Sequence, residues 1–216
     1  MAISIEMKKI MVYCIKEDEF NMSNLKENII KYIKKTYEYS YRGDLEYCRF
    51  CKKKEIDFDN IEKDLGFSLH QSIKDYFNSY SIKYMYGYVK IPKKDDAIFK
   101  YKNNFYQIFG FFNITKDSTK LYFKQLIDYN KWLQKNGNKM TMMSIACSTD
   151  EGYYLIVNNN DGSVYYVVAD FSVDVNEKEC LEKPIKLYNS LDELFCDMTQ
   201  NLKMELEPNE VEYLFP

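Results

Sequence analysis

Ser144-Ile145-Ala146-Cys147, Asp150-Glu151-Gly152, Tyr153-Tyr154-Leu155-Ile156-Val157, Asn158-Asn159-Asn160-Asp161-Gly162 and Ser163-Val164-Tyr165-Tyr166-Val167-Val168 follow one another almost without interruption, and this stretch decides the fold. Three short apolar runs rich in β-branched and aromatic residues are separated by polar breaks, the pattern of strands joined by turns. Both breaks end in glycine. Asp161-Gly162 supplies the positive φ that a tight hairpin needs. The stretch therefore predicts an antiparallel meander.

Downstream, Ile185-Lys186-Leu187-Tyr188 adds an edge strand. Ser190-Leu191-Asp192-Glu193 has capping-box spacing and opens a final helix through Leu194, Phe195 and Met198. Upstream, Tyr84 to Phe112 alternates apolar with polar residues around Pro92, Asp95-Asp96 and Asn103-Asn104, which reads as strands and turns. Between these regions Leu121, Tyr122, Gln125, Leu126, Tyr129 and Leu133 lie on one side of a helix that Asn136-Gly137-Asn138 stops. Asp59 to Leu65 forms a short helix ended by Gly66 in a left-handed cap. Ser68 then caps a helix carrying Ile73, Tyr76, Phe77 and Tyr80, with Gln71 reaching back to it. Residues 1–54 read mainly as helix, with Leu25, Ile29, Ile30, Ile33 and Tyr37 at helical spacing behind a Ser23 cap. Gly43-Asp44 and Lys52-Lys53-Lys54 read as surface connection. The pattern predicts one α+β domain, a mainly antiparallel sheet packed with helices, over 55–200. A helical N-terminal extension covers 1–54 and a C-terminal tail 201–216.

Composition agrees with a folded domain. The 216 residues include 46% hydrophobic residues, 21 Tyr and 14 Phe, far richer in aromatics than a disordered chain. No run of about 18 apolar residues exists to cross a membrane. Glu6, Lys8 and Lys9 interrupt the start too early for a secretory signal. Six cysteines are scattered through a chain large enough to fold without bridges. The expected location is the cytoplasm. Charge is uneven: residues 1–140 carry 26 Lys and Arg against 18 Asp and Glu, while residues 141–216 carry 4 against 15. Such asymmetry means either a polar molecule with one acidic face or an acidic half lying against a basic one.

Little in the chain is suited to catalysis. His70 is the sole imidazole, and at the start of a predicted helix its bland role is capping or solvation. Cys48-Arg49-Phe50-Cys51 has zinc-knuckle spacing, but a structural zinc needs two further ligands and neither Cys14 nor His70 stands in a pair. Cys48 and Cys51 are thus a weak metal candidate, read first as two unrelated thiols on one helix turn. Seven glycines form no phosphate-cradling loop. The lysine runs are dispersed among acids, which argues against nucleic acid as a partner. No cofactor, membrane association or enzymatic activity is expected, and the chain is expected to be a monomer.

Ile61-Glu62-Lys63-Asp64-Leu65-Gly66-Phe67-Ser68-Leu69-His70-Gln71-Ser72-Ile73-Lys74-Asp75-Tyr76-Phe77 resembles the opening pattern of the SMI1/KNR4 (SUKH) superfamily: an acidic helix, Leu-Gly, then an aromatic-rich helix. Gly152-Tyr153-Tyr154-Leu155-Ile156-Val157, followed by Asp161-Gly162-Ser163-Val164-Tyr165-Tyr166, is similar to its paired-aromatic strands about an Asp-Gly turn. The helix from Ser190 resembles its terminal helix. The likeness spans roughly Glu55 to Met198. His70 stands where the family usually has Pro, and Ser81-Ile82 where Asn-Gly is common. The resemblance implies a binding role, chiefly that of an immunity protein neutralising a bacterial toxin. Its expected partner is a nuclease or other enzyme with a basic cleft. The alternative is a regulatory scaffold whose endogenous partner contacts residues 1–54. For the toxin the candidate contacts are the acids Asp150, Glu151, Asp161, Asp170, Asp174, Glu177 and Glu179, with Tyr153, Tyr154, Tyr165 and Tyr166 as anchors. Since side chains alternate across a strand, at least half of these tyrosines belong to the core.

Overall fold

The computed structural model describes residues 24–40, 48–50, 56–79, 82–111, 142–148, 152–168 and 184–214. The helix expected over 121–133 and its stop lie outside the described residues. Among the described residues there are four α-helices: α1 (Asn24–Ser40), α2 (Phe58–Leu65), α3 (Gln71–Ser79) and α4 (Leu191–Asn201). Among the described residues nine strands form one sheet: β1 (Cys48–Phe50), β2 (Ile82–Ile91), β3 (Phe99–Tyr101), β4 (Asn104–Phe111), β5 (Met142–Ser148), β6 (Tyr153–Asn158), β7 (Val164–Val168), β8 (Ile185–Tyr188) and β9 (Val211–Tyr213). Their order is β1-β2-β4-β5-β6-β7-β8, with β3 bridging β4 and β9. Every pair is antiparallel. The β5-β6-β7 meander and the β8 edge are as the sequence predicts, and the fold is a mixed α+β domain.

The helices α1, α3 and α4 share one core with the sheet. Phe195 of α4 is fully buried, and its ring lies 6.1 Å from Tyr32 of α1, 6.1 Å from Tyr76 of α3 and 5.6 Å from Phe111 of β4. On α1 the predicted apolar positions Leu25, Ile29, Ile30 and Ile33 are all buried, as are Leu191, Leu194 and Met198 on α4. Each such side chain contributes about 1.5–3 kcal/mol when removed from water. Close approach of α4 requires Gly87 in β2: a Cβ there would lie 2.2 Å from the Met198 methyl and 3.2 Å from the Tyr32 hydroxyl.

Beyond the described pairing with β1, backbone groups of β2 are met by side chains of other elements. Tyr32 donates its hydroxyl to the Tyr86 carbonyl, and Asn201 Nδ2 donates to the Tyr88 carbonyl at 3.0 Å. The Lys90 amide donates to the Tyr188 oxygen. Side chains of α1, α4 and β8 thus blunt an edge that would otherwise invite strand pairing.

Four local expectations need correction. Cys48 does not sit on a helix turn; it lies in β1, its backbone in register with Met85. Ser68 and Gln71 form no capping box. Asn159 of the β6–β7 loop donates to the Ser68 carbonyl at 2.6 Å and accepts from the His70 amide at 2.6 Å. That tertiary clasp moves the cap to His70, whose Nδ1 accepts from the Ser72 amide at 3.2 Å, while Gln71 turns to Asp75. Residues 1–54 are not simply a helical extension, since α1 shares the core and β1 joins the sheet. Nor is 201–216 only a tail. Two 3-10 turns, Leu202–Glu205 and Pro208–Glu210, lead into β9, which pairs with β3.

Candidate functional site

The meander presents its two faces very differently. Leu155, Val157, Val164 and Tyr166 point into the helical core. Tyr166 is therefore not an available anchor. It is 1% exposed, donates to Asp96 Oδ2 at 2.7 Å and stacks on Tyr153 with centroids 6.0 Å apart. Tyr153 is half-buried against the same core. The opposite face carries Tyr154 and Tyr165, both half-buried, each across from a buried residue of the neighbouring strand: Val167 opposite Tyr154, Ile156 opposite Tyr165. The register continues through Cys147 and Gly110 to Tyr86, so Tyr86 and Tyr154 stand on one cross-strand row. Tyr86 is 37% exposed.

The β6–β7 hairpin tip is held from several directions. Gly162 takes φ 74°, its amide bonds the Asn158 carbonyl at 2.8 Å, and Asn158 in turn bonds the Ser163 carbonyl at 2.8 Å. The His70 ring packs directly over Gly162, where a Cβ would meet Cε1 at 2.5 Å. With Asn159 clasping the start of α3, Asn160 and Asp161 are displayed outward on a fixed loop. The hydroxyl and amide of Ser163 both bond Asp161 and hold its carboxyl below the usual range, with smaller help from Lys186 and His70. Asp161 is thus a fixed negative charge at neutral pH. Of the other expected contact residues, Asp150, Glu151, Asp170, Asp174, Glu177 and Glu179 lie outside the described residues, as does Cys51.

A second acidic and aromatic surface was hidden in the expected tail. Glu207, Glu210 and Glu212 flank Leu206 and Tyr213, which are 45% and 74% exposed. Lys102 reaches Glu207 at 3.1 Å and Glu210 at 3.4 Å, and Lys100 reaches Glu212 at 3.1 Å. Tyr101 donates to Glu207, which with Lys102 holds that carboxyl low. The sequence signal was Val211-Glu212-Tyr213, an alternating run too short to separate from a tail by pattern alone.

The pKa displacements of Glu62, Tyr101, Lys102, Tyr106, Asp161, Tyr188, Glu193, Cys196 and Glu207 all run away from neutrality. Burial pushes the Tyr188 hydroxyl far up, reinforced by Asp197 at 2.7 Å, and burial likewise raises Tyr106 and the Cys196 thiol. The bond to Glu207 raises Tyr101, and contacts with Tyr101 and Glu207 raise Lys102. Hydrogen bonds from Lys74 and the Leu69 amide lower Glu62, and those from Asn189 lower Glu193. Groups shaped for acid–base work are shifted toward neutral pH instead. Among the described residues no three His, Cys, Asp or Glu side chains gather as a metal site, and no helix is long and apolar enough to cross a membrane.

No curated relative matches the chain. The model of the SMI1 / KNR4 family (SUKH-1) matches residues 53–197, which run from just before α2 into α4 and leave α1, β1 and β9 outside. The match takes in the acidic helix, the Gly66 turn, the meander and the start of the last helix, so the chain belongs to the SMI1 / KNR4 family (SUKH-1).

Proposed function

We propose that this protein is a non-catalytic, immunity-type binding protein that neutralises a bacterial toxin in the cytoplasm by occluding its working surface. Membership in the SUKH-1 family, whose members are generally non-catalytic and of immunity type, carries the reading. The displacement of titratable groups away from neutrality supports a binding role over acid–base chemistry. Asp161 on its braced tip is the kind of preformed negative charge that steers a basic partner. The scaffold reading placed the partner on residues 1–54, but the apolar face of α1 is already used in packing against α3 and α4.

The test is co-expression with the product of the neighbouring gene. Cells should survive that product only when this chain is present, and the two should co-purify, with association slowing as salt rises. Absence of both protection and complex would refute the reading.

A further inference from the structure

We infer that the strip Leu206–Tyr213 is a docking surface for a basic partner, with Tyr213 as its anchor; the inference rests on the binding role proposed above. Exposed large hydrophobic side chains are few among the described residues: Tyr86, Leu206 and Tyr213. Two of the three fall within this strip of eight residues. Tyr213 is the most exposed of them, yet its ring is not loose. It stands edge-on to Phe99 at 4.8 Å and is carried by a strand in register with β3. An aromatic ring held rigid yet open to solvent loses little freedom when a partner covers it, which is what binding anchors require.

The surroundings specify the occupant. Three carboxylates, Glu207, Glu210 and Glu212, face two lysines, and Lys102 is shared between two of them. These exposed pairs contribute little to stability, so a partner's cation can replace a lysine at small cost. Arginine suits such a strip: its planar guanidinium pairs with an exposed carboxylate such as Glu212 on one face of β9, or stacks on the Tyr213 ring on the other. A second copy of this chain does not suit it. Antiparallel pairing of two β9 strands about their centre would set Glu212 against Glu212, and like charges directly opposite are destabilising.

The strip also lies beyond residues 53–197, where the family match ends. The strip is anchored on the side cluster of Tyr88, Phe99, Tyr101, Tyr106 and Met204 rather than on the main core.

The experiment measures binding of the full chain to the purified product of the neighbouring gene, with hydrogen exchange on the complex. Tyr213→Ala should weaken binding at least about tenfold, as for an anchoring aromatic. Tyr213→Phe should retain most of the affinity. The pair Glu210→Lys, Glu212→Lys should slow association and flatten its salt dependence, while Lys34→Ala on the outer face of α1 changes neither. Unaltered melting of each variant shows that the fold is kept. Val211–Tyr213 amides should be protected in the complex. A complex that forms with these amides unprotected and Tyr213→Ala at parental affinity overturns the docking surface but leaves the immunity reading standing. Failure of the parent chain to bind at all overturns both.

Discussion

Replacing Gly162 by Ala probes the joint between the hairpin tip and α3. At φ 74° a residue with a Cβ is strained by about 1–2 kcal/mol. A second penalty comes from the neighbour: the new Cβ would stand 2.5 Å from His70 Cε1 and 2.8 Å from Nδ1, closer than packed atoms tolerate. The ring cannot swing aside freely, because Nδ1 lies 2.8 Å from Ser72 Oγ and accepts from the Ser72 amide. Displacing it breaks a helix cap, which costs about 1 kcal/mol. The two effects together give about 2–3 kcal/mol, or a fall in Tm of roughly 4–12 °C for a chain of this size. A double-mutant cycle separates them. In a His70→Ala background the ring is gone, and Gly162→Ala should cost only the backbone strain, leaving a coupling of about 1 kcal/mol. Urea unfolding followed by circular dichroism measures all four proteins. Equal cost of Gly162→Ala in both backgrounds would refute the ring contact, and a neutral Gly162→Ala would refute the left-handed turn as well.

Gly87→Val should destabilise by about 1–3 kcal/mol through overpacking against Met198 and Tyr32; Gly87→Ala should cost less, since the Met198 methyl is the flexible end of its chain. Urea midpoints that leave Gly87→Val equal to the parent would show that α4 does not approach β2 this closely. Glu62 accepts from the Leu69 amide at 2.7 Å and from Lys74 at 2.5 Å. Its folded pKa is below its unfolded one, so its stabilising effect is full above the ordinary carboxylate range and is lost as pH falls through the folded value. Unfolding free energies measured from pH 6 downward should therefore fall less steeply for Glu62→Gln than for the parent, and parallel curves would argue against the α2–α3 brace.

The sequence determined the local pieces because each is specified by neighbours in the chain. Runs of β-branched and aromatic residues between polar breaks set β6 and β7, Gly66 and Gly162 announced their left-handed turns, and Ser190 capped α4 by accepting from the Glu193 amide. The other half of that cap slipped by one residue, with Glu193 reaching back to the Asn189 amide at 2.8 Å. The combination of motifs, each weak alone, also carried the family. Tertiary structure decided whatever depends on residues distant in the chain. Local spacing favoured Ser68 as the cap of α3, but Asn159, some ninety positions away, bonds both Ser68 and His70 and moves the start of the helix. Pattern could say that half of the meander tyrosines face inward; only the packing of Phe109 at 6.4 Å and the bond to Asp96 assign Tyr166 to that half. Three residues at Val211–Tyr213 carry too few alternations to announce a strand, and they become one because β3 offers an unpaired edge for them to cover. Strand identity there is a property of the partner edge rather than of the segment.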